Sequence, residues 1–367
     1  MSPSLQRLFY GRYSPSPSSS YQKEHSVVRT PRPIVLAQTF IPLSRDEVRT
    51  TDVQDFPGLL FARSDLAKIT KREEDRLTAQ NDILYQLCGE RYFFPRINNP
   101  RKILDCGYGR GDWVVQVAEE YEQCEVTGVD IYPALVADQP DNLTLFGYNL
   151  NERLNDPEVF ERSAYDLIHS RFVAQGIKIN RWAPYVQDMK RLVRPNGFVE
   201  MVEYYLNIQS DNGRLTTESA LRRWWDAYVA AMQRSNRNPR IAQTLQQLLA
   251  DAGFRDVGGT TLHLPIGGWH TGVFCTFWKM IEYHWGMGGI FSPIVSASFE
   301  GLLTAMADAY RASIGQKSVA MMGELLDSAS LWLFTVRLGW TAAQVEALNN
   351  AARRELQDTS LRLYVPM

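Results

Sequence analysis

Short apolar runs alternate with more polar segments through the middle of the chain. Five of these runs have the length of β-strands, and most are separated by stretches whose apolar residues recur at helical spacing. The runs are residues 102–106, 125–131, 143–148, 165–169 and 198–204. Strands that alternate with helices pair in parallel through right-handed crossovers. The pattern therefore predicts an α/β fold with a Rossmann-like, doubly wound, mostly parallel sheet.

The chain changes character on both sides of this region. Residues 1–60 combine a start rich in Ser, Pro and Arg with apolar runs broken by proline, which predicts a flexible N-terminal arm. Residues 61–206 are expected to form the Rossmann-like core. Residues 207–367 combine helical patterns with an aromatic-rich stretch, which predicts a helical lid after the fifth strand and C-terminal elements that complete the core.

Composition narrows the choice of partners. The 367 residues carry a net charge of −2, so the sequence lacks the basic footprint of a nucleic-acid-binding protein. No window approaches the roughly 18–20 consecutive apolar residues that span a bilayer. We therefore expect neither a nucleic-acid partner nor a membrane partner.

The cysteines and histidines argue against a disulfide framework or a metal site. The four cysteines are scattered, without a C-x-x-C pair. His263, His270 and His284 lack the spacing and the acidic neighbours of metal ligands, so no metal is expected. Unpaired cysteines fit a reducing compartment, and we expect a cytoplasmic protein, with the nucleus as the alternative.

A glycine-rich loop follows the first of the five strands. Residues 105–113 read DCGYGRGDW, so Gly107, Gly109 and Gly111 lie between a buried strand and the start of a helix. Glycines let the backbone approach a ligand closely, and the helix N-terminus offers free N–H groups. A dinucleotide fingerprint needs a glycine where Asp112 stands, so the spacing favours a nucleoside over a pyrophosphate.

An acidic residue completes this pattern. Asp130 follows Gly109 by 21 residues, at the end of the next strand, where a carboxylate can accept both ribose hydroxyls of a nucleoside. The alternative is a glycine-rich turn that binds nothing. The order of strand, loop, helix, strand and acid favours a cofactor site over that alternative.

The loop and its surroundings resemble a known family. Residues 104–113 resemble the L-D-x-G-x-G-x-G-x-W signature of the fungal LaeA-like (UMTA-type) class I methyltransferases. Residues 165–171 (YDLIHSR) and 196–203 (NGFVEMVE) are similar to that family's fourth and fifth strand segments. Residues 73–80 (EEDRLTAQ) are similar to the helix that lies over its cofactor. The resemblance implies a Rossmann-like fold and S-adenosylmethionine as the cofactor.

The resemblance also implies a set of cofactor-binding residues, at the positions that match the family's motifs. They are Arg76, Gln80, Asp105, Gly107, Gly109, Gly111, Asp130, Ile131, Asn149, Leu150, Ser170 and Arg171. The family usually carries an acidic residue beyond its third strand to meet the adenine amino group, and Asn149 stands there in this chain. We expect the amide oxygen of Asn149 to accept that hydrogen bond instead.

Methyl transfer from a sulfonium needs alignment and sometimes a base, and two residues leave the strands beside the loop. His169, at the end of the fourth strand, is a candidate general base. Glu203, at the end of the fifth strand, is a second catalytic candidate. The alternatives are a His169 that points into the sheet and a Glu203 that is simply a strand-end carboxylate.

Aromatic residues concentrate in the C-terminal half. We expect Trp225, Trp269, Trp278 and Tyr283 to line a substrate pocket over the cofactor, since aromatic walls attract a sulfonium and hold an apolar substrate. The alternative is an additional hydrophobic layer, or a surface through which two copies form a homodimer.

Two functional hypotheses result. The first is S-adenosylmethionine-dependent methyl transfer to an oxygen or nitrogen of a small molecule in fungal secondary metabolism, which an enclosed aromatic lid favours. The second is a LaeA-like regulatory methyltransferase that acts on or through protein partners. An NAD-dependent enzyme is disfavoured by Asp112 in the glycine loop.

Overall fold

The computed structural model describes residues 8–12, 63–131, 136, 138–269 and 293–367. The strands are β1 (Leu8–Arg12), β2 (Lys102–Cys106), β3 (Glu125–Asp130), β4 (Leu143–Gly147), β5 (Tyr165–Arg171), β6 (Val193–Val202), β7 (Gln209–Ser210), β8 (Arg255–Thr260), β9 (His263–Ile266) and β10 (Leu363–Pro366). The α-helices are α1 (Arg63–Leu87), α2 (Asp112–Glu120), α3 (Trp182–Leu192), α4 (Ala220–Arg234), α5 (Leu245–Asp251), α6 (Pro293–Leu338) and α7 (Ala342–Gln357).

The main sheet has the strand order β4-β3-β2-β5-β6-β1-β8. Each pairing among β2 to β6 is parallel, and the order reverses beside β2, as in a doubly wound sheet. The predicted Rossmann-like α/β fold is therefore confirmed. Because the strands are parallel, the loops after β2, β3, β5 and β6 all open at one edge of the sheet.

The N-terminal strand β1 lies inside this sheet. It pairs antiparallel with β6 on one side, where Phe9 lies opposite Met201, and with β8 on the other, where Leu8 lies opposite Thr260. The prediction of a flexible arm over residues 1–60 is therefore wrong for residues 8–12. The strand reads LFYGR within a segment rich in Ser, Pro and Arg, and its place depends on partners about 190 residues away. Residues 1–7 and 13–60 lie outside the described residues.

Apolar side chains cover both faces of the sheet. Trp113, Val114 and Val117 of α2 lie fully buried against one face. On the other face Tyr185 and Met189 of α3 pack with the α5 region. These two layers keep β2 to β6 away from water and hold the strand ends at fixed positions.

A third cluster joins the C-terminal helices to α1 and α4. Helix α6 is a single long element of 46 residues. Its segment Ala309–Leu338 is long and apolar enough to span a membrane by length and composition, contrary to the expectation from the sequence. Half of its most apolar window is buried, and Leu326 and Phe334 lie in the core, so the segment packs as a core helix.

The chain ends against this third cluster. The Thr341 hydroxyl accepts the backbone N–H of Gln344, and the Gln344 side chain accepts the backbone N–H of Thr341, so a capping box opens α7. Strand β10 then pairs antiparallel with β7 and β9 in a separate small sheet. The C-terminal strand therefore stabilises the region above the main sheet instead of joining it.

Candidate active site

A cavity of about 390 Å³ opens where the parallel strands end. Its floor is formed by the glycine loop after β2 and by the loops after β3, β5 and β6. Helices α1, α4 and α6 supply its other walls. This volume falls in the usual range for a pocket that holds a small ligand.

The glycine loop is shaped for close approach to a ligand. Gly107, Gly109 and Gly111 have φ values of +90°, +58° and +98°, which favour glycine. An ideal Cβ built on Gly109 would meet no atom within 4 Å, so this glycine faces open space in the cavity. A Cβ on Gly107 would lie 2.4 Å from Cγ1 of Val173, so the loop after β5 packs directly against it.

Asp130 is bound to this loop. Its Oδ2 accepts the backbone N–H of Gly109 at 2.9 Å, and the residue itself borders the cavity. The carboxylate therefore lies beside the open space at Gly109. This arrangement leaves room for a nucleoside with its sugar next to a carboxylate, as the sequence predicts.

Helix α1 lies over the loop and is tied to it. The Thr78 hydroxyl donates to Asp112 at 3.2 Å, and Arg110 lies 3.7 Å from Glu74. On the face of α1 toward the cavity, the buried Arg76 is held by Glu73, with nitrogen–oxygen distances of 2.6 and 2.7 Å. Helix α1 thus covers the cavity, as the resemblance of residues 73–80 to the family's cofactor helix implies.

Comparison with known proteins agrees with the cofactor site that the geometry indicates. The methyltransferase-domain family matches residues 81–258, which include the glycine loop, Asp130 and β2 to β6. The chain is a methyltransferase. S-adenosylmethionine is its cofactor, and the open cradle at Gly109 with the Asp130 carboxylate beside it fits that molecule's nucleoside.

Fungal proteins are among its relatives. The methyltransferase pytC of Aspergillus terreus is 23% identical over 287 residues, a match that covers 78% of this chain and 75% of pytC. The N-methyltransferase sirN of Leptosphaeria maculans is 27% identical, over 59% of this chain and 74% of sirN. The secondary metabolism regulator LAE1 of Cochliobolus heterostrophus is 28% identical, over 46% of this chain and 53% of LAE1. The resemblance to LaeA-like methyltransferases is therefore confirmed.

Most of the predicted cofactor residues border the cavity of the methyltransferase. They are Arg76, Gln80, Gly107, Gly109, Asp130, Ile131, Asn149, Leu150 and Arg171. Asn149 lies there, but its amide oxygen already accepts the backbone N–H of Asn151 at 3.0 Å and the Asn151 side chain at 3.2 Å. Any hydrogen bond from adenine would have to share this oxygen with Asn151.

Three predicted cofactor residues lie beneath the cavity and not in its wall. Asp105 is buried under the loop and binds His169, and the Ser170 hydroxyl is paired with that of Tyr185 at 3.0 Å. Gly111 forms the N-cap of α2 and packs against Val136. These residues support the loop from beneath, because their side chains or Cα face the protein interior.

The assignment of His169 as a general base is wrong. Its ring is 1% exposed, its Nδ1 lies 2.8 Å from Oδ1 of Asp105, and it stacks on Trp113 with ring centroids 3.9 Å apart. Burial lowers its pKa despite the neighbouring Asp105. Since β5 alternates its side chains between the two faces, this position points into the sheet, which is the alternative left open by the sequence.

Glu203, the second catalytic candidate, does border the cavity. Its Oε1 accepts the backbone N–H of Val173 at 2.8 Å, so it also fixes the loop that packs on Gly107. Burial raises the pKa of Glu203 to about 8, against the opposing hydrogen bonds from the backbone of Val173 and Ala174. The carboxyl group is therefore mostly protonated at neutral pH.

The predicted substrate tryptophans are placed elsewhere. Trp225 is 2% exposed and packs in the core against Tyr205 and Tyr228, so its assignment to the substrate pocket is wrong. Trp269 is also outside the cavity, since its Nε1 donates to the carbonyl of Leu363 in the small sheet. Their aromatic character predicts burial but not which cavity they face. Trp278 and Tyr283 lie outside the described residues.

The cavity has apolar walls that sequence reasoning missed. They are contributed by the loops after β5 and β6, by α4 and by α6: Phe172, Tyr204, Leu206, Tyr228 and Leu325. Phe172 and Tyr204 stack with their ring centroids 4.0 Å apart. Phe172 and Tyr204 follow the ends of β5 and β6, which is a signal that the sequence does contain. The helical spacing of α4 and α6 does not indicate which face meets the cavity.

Proposed function

We propose that this methyltransferase transfers the cofactor's methyl group to an oxygen or nitrogen of a small molecule. One observation carries the proposal: the cavity that contains the glycine loop is also lined by the apolar and aromatic side chains of Tyr204, Leu206, Tyr228 and Leu325. A concave site of this volume with apolar walls suits a small acceptor.

The residues of the chain supply the position of the reactants. S-adenosylmethionine, when bound, supplies the activated methyl carbon. The glycine loop and Asp130 would hold its nucleoside, and helices α1 and α6 form walls of the cavity around it. The hydroxyl of Tyr228 is hydrogen-bonded to Gln175, so this wall of the cavity is held in one orientation.

The relatives suggest a setting in fungal secondary metabolism. They also support the second hypothesis, because LAE1 is described as a regulator. The cytoplasmic or nuclear location stays a prediction. So does a homodimer through the aromatic region, since residues 270–292 lie outside the described part of the chain.

Labelled methyl transfer tests the proposal. The protein is incubated with methyl-labelled S-adenosylmethionine and either a fungal metabolite extract or a fungal protein extract. We expect label in compounds of low mass, identified by mass spectrometry. Label confined to the protein fraction would contradict the proposal and favour the regulatory hypothesis.

A substitution in the apolar wall of the cavity provides a second test. Leu325→Trp should fill the acceptor end and reduce methyl transfer at least tenfold, while the affinity for S-adenosylhomocysteine in calorimetry stays within about twofold. Val336→Trp, at an exposed position of the same helix, is the matched control and should leave both values unchanged. If Leu325→Trp transfers methyl groups normally, the acceptor does not occupy this part of the cavity.

A further inference from the structure

Glu203 lies in the cofactor cavity without a basic partner. Its side chain is almost fully buried, and its described hydrogen bonds come from the backbone after β5. Among the described residues, no lysine, arginine or histidine forms an ion pair with its carboxyl group. The group is therefore enclosed with no positive charge to compensate an ionised form.

The other charged groups around the cavity do have partners. Arg76 on α1 is paired with Glu73, Arg110 in the glycine loop with Asp112 and Glu74, Arg171 on β5 with Asn81, and Asp130 with the N–H of Gly109. Tyr228 on α4 faces Glu203, and because burial raises the pKa of Tyr228, its hydroxyl stays neutral. A positive charge that enters the cavity should therefore act mainly on the ionisation of Glu203, whose carboxyl group has no charged partner.

The methyl donor and its product differ in the charge that they bring into the cavity. The sulfur of S-adenosylmethionine is a cation, whereas the sulfur of S-adenosylhomocysteine is neutral. A positive charge in a water-poor cavity favours the ionised form of a nearby carboxyl group. Burial alone holds Glu203 in the protonated form near neutral pH, since it raises the pKa to about 8.

We propose that Glu203 distinguishes the charged methyl donor from the uncharged product. Its carboxyl group gives a proton to solvent when the donor binds, and the resulting carboxylate stabilises the bound cation. Methylation removes one proton from the acceptor's O–H or N–H. After transfer the carboxylate takes up one proton, so the proton that Glu203 released on donor binding is replaced. The ionised carboxylate then has no cation to face, so its protonation accompanies the product state.

The pH dependence of binding tests this role without any mutation. The ionised carboxyl group stabilises bound S-adenosylmethionine, so the affinity for this ligand should fall by up to tenfold for each pH unit below about pH 8. The affinity for S-adenosylhomocysteine should change far less over pH 6–8. Calorimetry measures both, and parallel pH profiles for the two ligands would overturn the proposal.

Proton release gives a direct readout. At pH 7, titrations in phosphate and in Tris, which differ in ionisation enthalpy, should show release of most of one proton on donor binding. The neutral product should cause none of this release. In Glu203→Gln the donor and the product should behave alike, while the amide oxygen still accepts the N–H of Val173.

Glu200→Gln is the matched control. Glu200 lies three residues earlier, is equally buried and accepts the N–H of Phe94 at 2.8 Å, but it is outside the cofactor cavity. It should retain the difference in proton release between donor and product. If Glu203→Gln retains that difference as well, the role of Glu203 is excluded. Failure of both ligands to bind the wild-type protein would instead contradict the cofactor site on which this proposal rests.

Discussion

The local geometry at Gly109 decides whether a nucleoside fits. This residue combines a φ of +58° with open space where a side chain would lie. The two properties have separate consequences. Backbone strain affects stability, whereas a side chain in the cavity affects cofactor binding, so a pair of substitutions can distinguish them.

Gly109→Val should reduce the affinity for S-adenosylmethionine more than a hundredfold, because the side chain would enter the cavity. Strain at a positive φ should cost about 1–2 kcal/mol of stability as well. Gly213→Val is the control: Gly213 has a φ of +69° and equally open surroundings, but it lies away from the cavity. We expect similar losses of melting temperature and a loss of binding, in calorimetry, for Gly109→Val alone. Normal binding by this variant would place the cofactor elsewhere.

At the level of single elements, β1 is the main departure from the sequence prediction. As an interior strand it provides hydrogen bonds to β6 on one side and to β8 on the other. The C-terminal end of β6 leads into Glu203 and Tyr204 at the cavity, so β1 helps to hold these residues in place through its pairing with β6. A flexible arm would not stabilise β6 in this way.

Removal of residues 1–12 should therefore destabilise the protein by more than about 3 kcal/mol, since it leaves two strand edges without partners. Urea denaturation measures this loss. Tyr10→Pro should act in the same direction, because Tyr10 lies between Glu200 of β6 and Gly258 of β8, and proline is not tolerated inside a sheet. An unchanged midpoint for both variants would show that β1 is dispensable.

The positions of helices α1 and α6 depend on contacts between distant parts of the chain. The cavity exists because α1 lies across the glycine loop and α6 lies beside α4. The exposed ion pair of Arg72 with Glu324 joins the two helices, and such pairs contribute little to stability. The buried apolar contacts of α6 therefore determine its position, with Leu325 at the cavity wall.

For the molecule as a whole, two buried carboxyl groups link stability to pH. Burial raises the pKa of Glu200 to about 7 and that of Glu203 to about 8, from an ordinary value of 4.5. Between about pH 4.5 and about pH 8 the folded protein binds more protons than the unfolded chain, because these carboxyl groups ionise at a higher pH in the folded state. Their contribution to stability is therefore complete below about pH 4.5 and is lost as the pH rises to about 8.

Glu200→Gln should consequently be more stable than the wild type at pH 8, and this advantage should shrink as the pH falls toward 4.5. Urea denaturation at pH 5 and at pH 8 measures the free energy of unfolding of both proteins. The titration of all other groups cancels when the variant is compared with the wild type at the same pH. The same advantage at both pH values would show that Glu200 does not titrate with a raised pKa.

The sequence by itself determined the parts of this protein that depend on neighbouring residues. The alternation of β2 to β6 with helices, the glycine loop, Asp130 and the capping box at Thr341 all follow from short patterns whose backbone requirements are local. These patterns predicted the fold and a nucleoside site, and the resemblance of residues 104–113 to a methyltransferase signature implied the cofactor.

Only the tertiary structure decided which side chains meet in space. It placed β1 inside the sheet, turned His169 toward Asp105, buried Trp225 and brought Leu325 to the cavity. Each of these outcomes depends on contacts between residues far apart in the chain. Such contacts are selected by packing over the whole core, and no local sequence pattern records them.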